Sequence, residues 1–95
     1  MALIIKHKEE PKRGVFEAWT DGTQAGEMTY LRPAPDRMTI DHTRVFEGFE
    51  GQGIARQMVM EAVTFVRQNG RKIIPVCTYA QAVLTRTNEY RDVID

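Results

Sequence analysis

Apolar and polar positions change period along this chain near residue 50, and the change separates a strand-forming first half from a second half in which helices alternate with a strand. Leu3 to His7 is a short apolar run, and Gly14-Val15-Phe16-Glu17-Ala18-Trp19-Thr20 is rich in residues that suit a pleated surface. Asp21-Gly22 then supplies the residue pair of a tight hairpin turn. The next strand is expected from about Thr23 to Leu31. Pro33-Ala34-Pro35-Asp36 ends it, because proline removes a ladder donor and fixes φ. A fourth strand follows from about Met38 to Phe46. Simple alternation puts Met38, Ile40, His42 and Arg44 on one face and Thr39, Asp41, Thr43 and Val45 on the other.

Beyond residue 50, Ile54, Met58, Ala62, Phe65 and Val66 recur at three- and four-residue spacings, the apolar stripe of an amphipathic helix. Asn69-Gly70 supplies residue types that tolerate a left-handed helix end. Ile73-Ile74-Pro75-Val76-Cys77 reads as a strand, with one ladder bond missing at Pro75. Thr78 and Gln81 have capping-box spacing, so a second helix is expected to start there and to turn Ala80, Val83 and Leu84 inward. The expected order is β-β-β-β-α-β-α, an α+β class with an antiparallel-rich sheet. Trp19, Met28, Tyr30, Met58 and Phe65 read as core or cleft lining.

Composition narrows the picture. Ninety-five residues suit one domain, 1–95, and 42% hydrophobic with 27% charged residues is an ordinary globular balance. The 13 basic and 13 acidic residues cancel, which argues against nucleic acid or an acidic membrane as partner while leaving room for a local basic pocket. No apolar stretch is long enough to span a bilayer, and Met1-Ala2-Leu3-Ile4-Ile5-Lys6 has no export-type cleavage region. Cys77 stands alone, so an intramolecular disulfide and a multi-cysteine zinc site are both excluded. A cytoplasmic protein without a metal is the expectation.

The candidate chemistry sits where the period changes, in Glu47-Gly48-Phe49-Glu50-Gly51-Gln52-Gly53-Ile54-Ala55. Glycine permits positive φ and close approach to the backbone, and a helix start presents unpaired N–H groups with the positive end of the dipole. A pyrophosphate fits such a place; the competing reading is a glycine-rich connection that only turns the chain. Gly48 and Gly53 have the spacing of a P-loop, but Ile54-Ala55 stand where Lys and Ser/Thr are required. Gly51 and Gly53 begin a dinucleotide fingerprint, but Arg56 occupies its last glycine position.

Glu50-Gly51-Gln52-Gly53-Ile54-Ala55 resembles the pyrophosphate loop Gln/Arg-x-x-Gly-x-Gly/Ala of the GNAT superfamily of N-acetyltransferases, except at its first position. His42-Thr43-Arg44-Val45, Gly51 to Ala55, Pro75-Val76-Cys77-Thr78-Tyr79 and Glu89-Tyr90 together resemble a small subfamily with a shortened version of that fold, in which acidic residues occur at the place of Glu50. A carboxylate would repel a pyrophosphate, so Glu50 is expected to turn outward while the backbone binds. The resemblance implies acetyl-CoA as cosubstrate, bound where strands four and five splay apart. Val45 and Phe46 would offer backbone groups to the pantetheine arm, and Gly51, Gln52, Gly53, Ile54 and Ala55 would face the phosphates. Arg56 would reach a phosphate oxygen, or else be a solvated surface charge. Acetyl transfer to an amine of unknown identity is the implied reaction, with an acetyl-CoA-binding module lacking turnover as the alternative.

The chain contains no serine, so a serine triad is impossible. Cys77, just before the second helix, would meet the thioester as nucleophile or proton donor, or else be a buried small hydrophobe. Tyr79 occupies the region of a tyrosine general acid in many of these enzymes, against a packing role. His42 is a candidate base, against a satisfied sheet histidine beside Ile40. The helices that cover the acceptor side in most GNAT enzymes have no counterpart, which implies a shallow acceptor pocket or one completed by a partner. The implied partners are acetyl-CoA and an amine-bearing acceptor, with the protein a monomer or weak homodimer.

Overall fold

A computed structural model describes residues 2–95. Met1, which opens the apolar N-terminal run and the expected 1–95 domain, lies outside the described residues. The elements follow the expected order: β1 Leu3–Glu9, β2 Arg13–Thr20, β3 Thr23–Leu31, β4 Arg37–Val45, α1 Ile54–Asn69, β5 Lys72–Pro75 and α2 Thr78–Thr85. Asp21 and Gly22 both take positive φ, 49° and 82°, as a two-residue hairpin turn between right-twisted strands requires. Gly70 closes α1 in the left-handed conformation, its N–H bonded to the Val66 carbonyl.

The five strands lie side by side in the order β1-β2-β3-β4-β5. The first four form an antiparallel meander, and β5 joins β4 in parallel after the α1 crossover. The result is an α+β fold with a mixed five-stranded sheet. α1 crosses every strand, and α2 packs beside it against β4 and β5. Phe16, Ala18, Met28, Tyr30, Met38 and Ile40 on the sheet are buried against Ile54, Met58, Val59, Ala62 and Val66 of α1. Each large side chain so covered contributes about 1.5–3 kcal/mol relative to exposure. Gly26 is fixed by packing: a β-carbon there would lie 2.8 Å from the Arg44 carbonyl oxygen and 3.3 Å from Met58 Cε.

The fourth strand departs from simple alternation. Thr29 opposes His42 and Tyr30 opposes Ile40, which leaves Asp41 as the extra residue of a β-bulge. Beyond the bulge the faces exchange. Thr43, opposite buried Met28, joins Ile40 on the helix-covered face, while His42 and Arg44 are exposed on the other. His42 therefore does not share a face with Ile40, as unbroken alternation would have it. Trp19 is likewise not core: it lies half-buried on the open face, with Lys6 Nζ 4.3 Å from its ring centre. No helix among the described residues is long and apolar enough to cross a membrane.

Candidate functional site

β5 sets the position of the site by stopping early. It pairs with β4 only from Arg37↔Lys72 to Ile40↔Pro75. The Ile40 carbonyl then accepts the N–H groups of Val76 and Cys77 at 3.0 and 2.9 Å, and the chain turns away into α2. Cys77 is therefore in the turn and not in the strand. β4 runs on to Val45, so the two strands part beyond Ile40. Phe46 is spent internally: its N–H bonds Ala25 at 2.8 Å, and its carbonyl accepts the Phe49 N–H at 3.1 Å. Its N–H is thus taken, whereas Phe46 was expected to offer backbone groups to a guest. Antiparallel alternation turns the N–H and C=O of Val45 and Thr43 toward the open edge instead.

The glycine loop leads from this edge to α1. Gly48, Gly51 and Gly53 have φ of 92°, 77° and 75°, which residues with a β-carbon rarely adopt. Gly53 is the N-cap and contributes no side-chain cap bond. The first helical bond runs from the Gln57 N–H to the Gly53 carbonyl at 3.1 Å, leaving the N–H groups of Ile54, Ala55 and Arg56 without a helical partner. No acidic residue occupies the first turn, so nothing there offsets the dipole's positive end. Glu50 folds back, its Oε1 accepting the Gly48 N–H at 2.8 Å. Its charge stiffens the loop without entering the first turn of the helix. Gln52 is exposed beside these residues.

Arg56 points toward the chain's end, its Nη2 3.5 Å from the Tyr90 hydroxyl, which itself contacts Met60 Sδ at 3.3 Å. Arg56, Val83, Arg86, Thr87, Glu89 and Tyr90 line a groove of about 290 Å³, so one carboxylate accompanies the two arginines. Among the described residues neither arginine forms an ion pair. Arg86 lines this groove although the sequence pattern did not indicate it.

Cys77 is half-buried and is itself the N-cap of α2. The capping box expected of Thr78 and Gln81 is not formed: the Gln81 N–H bonds the Cys77 carbonyl at 2.9 Å, and no side chain caps the helix. The Cys77 Sγ lies 3.4 Å from Thr43 Oγ1, so thiol and hydroxyl meet across the gap between the strands. Only the bulge brings Thr43 to this face. Tyr79, 38% exposed in the first turn of α2, stands near Cys77 in the chain. His42 is on the opposite face of the sheet from the Cys77–Thr43 pair. Among the described residues no group of three or more His, Cys, Asp or Glu could hold a metal ion.

The perturbed titratable groups lie near the other end of α1. His7 Nε2 is 2.6 Å from the Tyr30 hydroxyl, which donates to Glu9 Oε2 at 2.8 Å, and Arg71 reaches Glu9 at 2.6 and 3.1 Å. Burial lowers the His7 pKa and raises that of Tyr30, while the Arg71 hydrogen bond holds the Glu9 carboxyl below its ordinary range. The cluster ties β1, β3 and the α1–β5 turn together.

The family model of the GCN5-related N-acetyl-transferase matches residues 15–93. No curated protein matches the chain in sequence. Solved structures match it in fold. A GCN5-like protein from Staphylococcus aureus is 27% identical, with a TM-score of 0.68 over 95% of this chain and 87% of its own. A GNAT family acetyltransferase from Elizabethkingia anophelis, solved with acetyl-CoA bound, is 14% identical, with a TM-score of 0.68 over 88% of this chain and 72% of its own. A Bacillus subtilis acetyltransferase in complex with CoA is 19% identical, with a TM-score of 0.64 over 78% of this chain and 64% of its own. With strands that part beside an uncapped helix start, and a family model matching most of its length, the chain belongs to the GCN5-related N-acetyltransferases.

Proposed function

We propose that this protein transfers the acetyl group of acetyl-CoA to an amine. The observation that carries the reading is the open β4 edge beside a helix start whose N–H groups have no helical partner and whose first turn holds no acid. Phosphates are the guests such a start favours. Gly51, Gln52, Gly53, Ile54 and Ala55 receive the pyrophosphate, with Arg56 and Arg86 at its flank. The backbone of Val45 and Thr43 pairs with the pantetheine arm, which runs along β4 toward the Cys77 thiol.

In the transfer itself the amine nitrogen attacks the thioester carbonyl, a C–N bond forms and the C–S bond breaks. The nitrogen sheds a proton, and the departing thiolate takes one up as CoA. Cys77, hydrogen-bonded to Thr43, lines the place where that sulfur leaves and is its proton donor; Tyr79 stands beside it. His42 faces away from the pair and so does not meet the departing sulfur.

Calorimetry with CoA, followed by release of free CoA from acetyl-CoA in the presence of an amine panel, tests the reading. Binding with amine-dependent release is expected; no CoA binding overturns it, and binding without release leaves a CoA-binding module. Intact-mass measurement after acetyl-CoA alone is expected to show no adduct, while Cys77→Ala lowers turnover about 10²–10⁴-fold, the effect of removing a general acid. A single added acetyl group, absent in Cys77→Ala, would make the thiol a nucleophile instead.

A further inference from the structure

The sheet face opposite the helices carries a groove of about 450 Å³ to which no helix contributes. Strand register places its residues in rows across the sheet: Lys8 opposes Val15, Val15 opposes Thr29, and Thr29 opposes His42 beside the bulged Asp41. Val15 and Leu31 give the groove an apolar floor, Leu31 being 49% exposed. Its charges are mostly matched. Lys8 pairs with Glu17 at 3.3 Å and Arg13 with Glu10 at 3.7 Å. Asp41 has no ionic partner among the described residues, and Thr29 Oγ1 holds one of its oxygens at 2.8 Å. The carboxylate is thus fixed in direction, with its second oxygen free to accept. Asp41 also follows Ile40, the last residue of β4 to pair with β5. Its backbone borders the point where the strands part, while its side chain leans over β3 to Thr29; the Cys77–Thr43 pair lies on the other face of the sheet.

We propose that this groove is the acceptor site and that Asp41 receives the acceptor's ammonium group, which makes the substrates primary amines with a compact apolar body. An unmatched anion selects a cation, a hydroxyl-fixed carboxylate sets its place, and the Val15–Leu31 floor favours an apolar attachment over a second charge. Its catalytic consequence rests on the acetyl-transfer reading, because that reading brings the thioester to the same gap; the binding itself does not.

The test is titration of the ¹⁵N-labelled protein with phenethylamine, followed by its amide resonances, with 2-phenylethanol as the uncharged comparison. Shifts centred on Val15, Thr29, Leu31 and Asp41 are expected for the amine, with the alcohol bound at least about tenfold more weakly, a difference of about 1.4 kcal/mol. Asp41→Asn, which keeps the shape of the bulge, should remove that preference while leaving CoA affinity by calorimetry unchanged. Leu31→Lys, at an exposed position, should weaken the amine by placing a like charge on the floor. Shifts elsewhere, equal affinity for amine and alcohol, or amine binding indifferent to both substitutions would overturn the proposal. So would concentration-dependent shifts of these same amides without amine, which would mark the face as a contact between copies. Failure of CoA to bind would remove the acetyl-transfer reading and leave the amine titration to stand or fall alone.

Discussion

A β-carbon on Gly14 would lie 2.2 Å from the Tyr30 hydroxyl oxygen, so the phenol occupies the space a side chain would need. Gly14→Ala should displace Tyr30 and loosen its bonds to His7 and Glu9, costing about 1–3 kcal/mol as overpacking does. A lowered urea midpoint with unchanged CoA affinity is the expected result, because none of these residues belongs to the glycine loop or to β4 beyond Ile40. The same cluster makes stability depend on pH. Burial lowers the His7 pKa from its ordinary 6.5, so the unfolded chain binds the proton more readily than the folded one. Stability is full above that value and declines as pH falls toward the folded pKa. Glu9, lowered from 4.5 chiefly by its Arg71 bond, adds a second decline at more acid pH. Melting temperatures measured between about pH 7 and 5.5 should fall in the native protein and stay level in His7→Gln. None of this was legible in the sequence, since His7, Tyr30, Glu9 and Arg71 meet only through register and the α1–β5 turn. The placement of Gly51 and Gly53 before one helix and of Cys77 before the next was legible, because helix starts are local features.

Among elements, the strands and helices could be read from their periods, but the bulge in β4 could not be read from alternation alone. Ile40 and Val45 lie on one face although they are five positions apart, an odd spacing that only an extra residue reconciles. A phase break of that kind, with polar Asp41-His42 at its centre, is the one signal the sequence offered. Missing it sent His42 to the wrong face and hid Thr43, the partner of Cys77. α2 begins at Thr78 as expected, but its cap differs for a related reason: the Ile40 carbonyl takes two N–H groups and makes Cys77 the cap, a tertiary effect that overrides the Thr78–Gln81 spacing. The start of α1 was read correctly and carries its own prediction. Gly53→Ala must hold a left-handed φ of 75°, at about 1–2 kcal/mol, and should weaken CoA binding by tilting the first-turn N–H groups. Thermal melts and calorimetry on one sample separate the two losses; unchanged CoA affinity would remove the phosphates from this turn. Arg56→Ala should weaken CoA by about 1.5–3 kcal/mol, the worth of a hydrogen bond to a charged group. Wild-type affinity in that variant would assign Arg56 to Tyr90 alone.

At the scale of the molecule, the gap exists because β5 is short, and a short strand must be held from both sides. β4 holds one edge. The chain's last residues hold the other: the Ile73 N–H bonds the Val93 carbonyl at 2.6 Å, and the Asp95 N–H bonds the Ile73 carbonyl at 2.9 Å. Arg37 of β4 reaches across to Asp95 at 2.8 Å, and Arg67 of α1 holds Asp92 at 3.0 Å. Val93 is buried to 1% exposure, which anchors the segment by packing as well as by hydrogen bonds. Those exposed ion pairs are worth little singly, so the anchor is chiefly Val93 and the two backbone bonds. Val93→Ala should therefore cost about 2 kcal/mol, roughly 10 °C of melting temperature in a domain this size, while the backbone bonds and CoA affinity persist. Deleting residues 93–95 removes the bonds too. Faster hydrogen exchange at the Ile73 amide, a larger fall in melting temperature and weaker CoA binding are then expected together, because β5 no longer fixes where Cys77 faces Thr43. A truncated protein that kept CoA affinity and slow exchange at Ile73 would show that β4 alone positions the site.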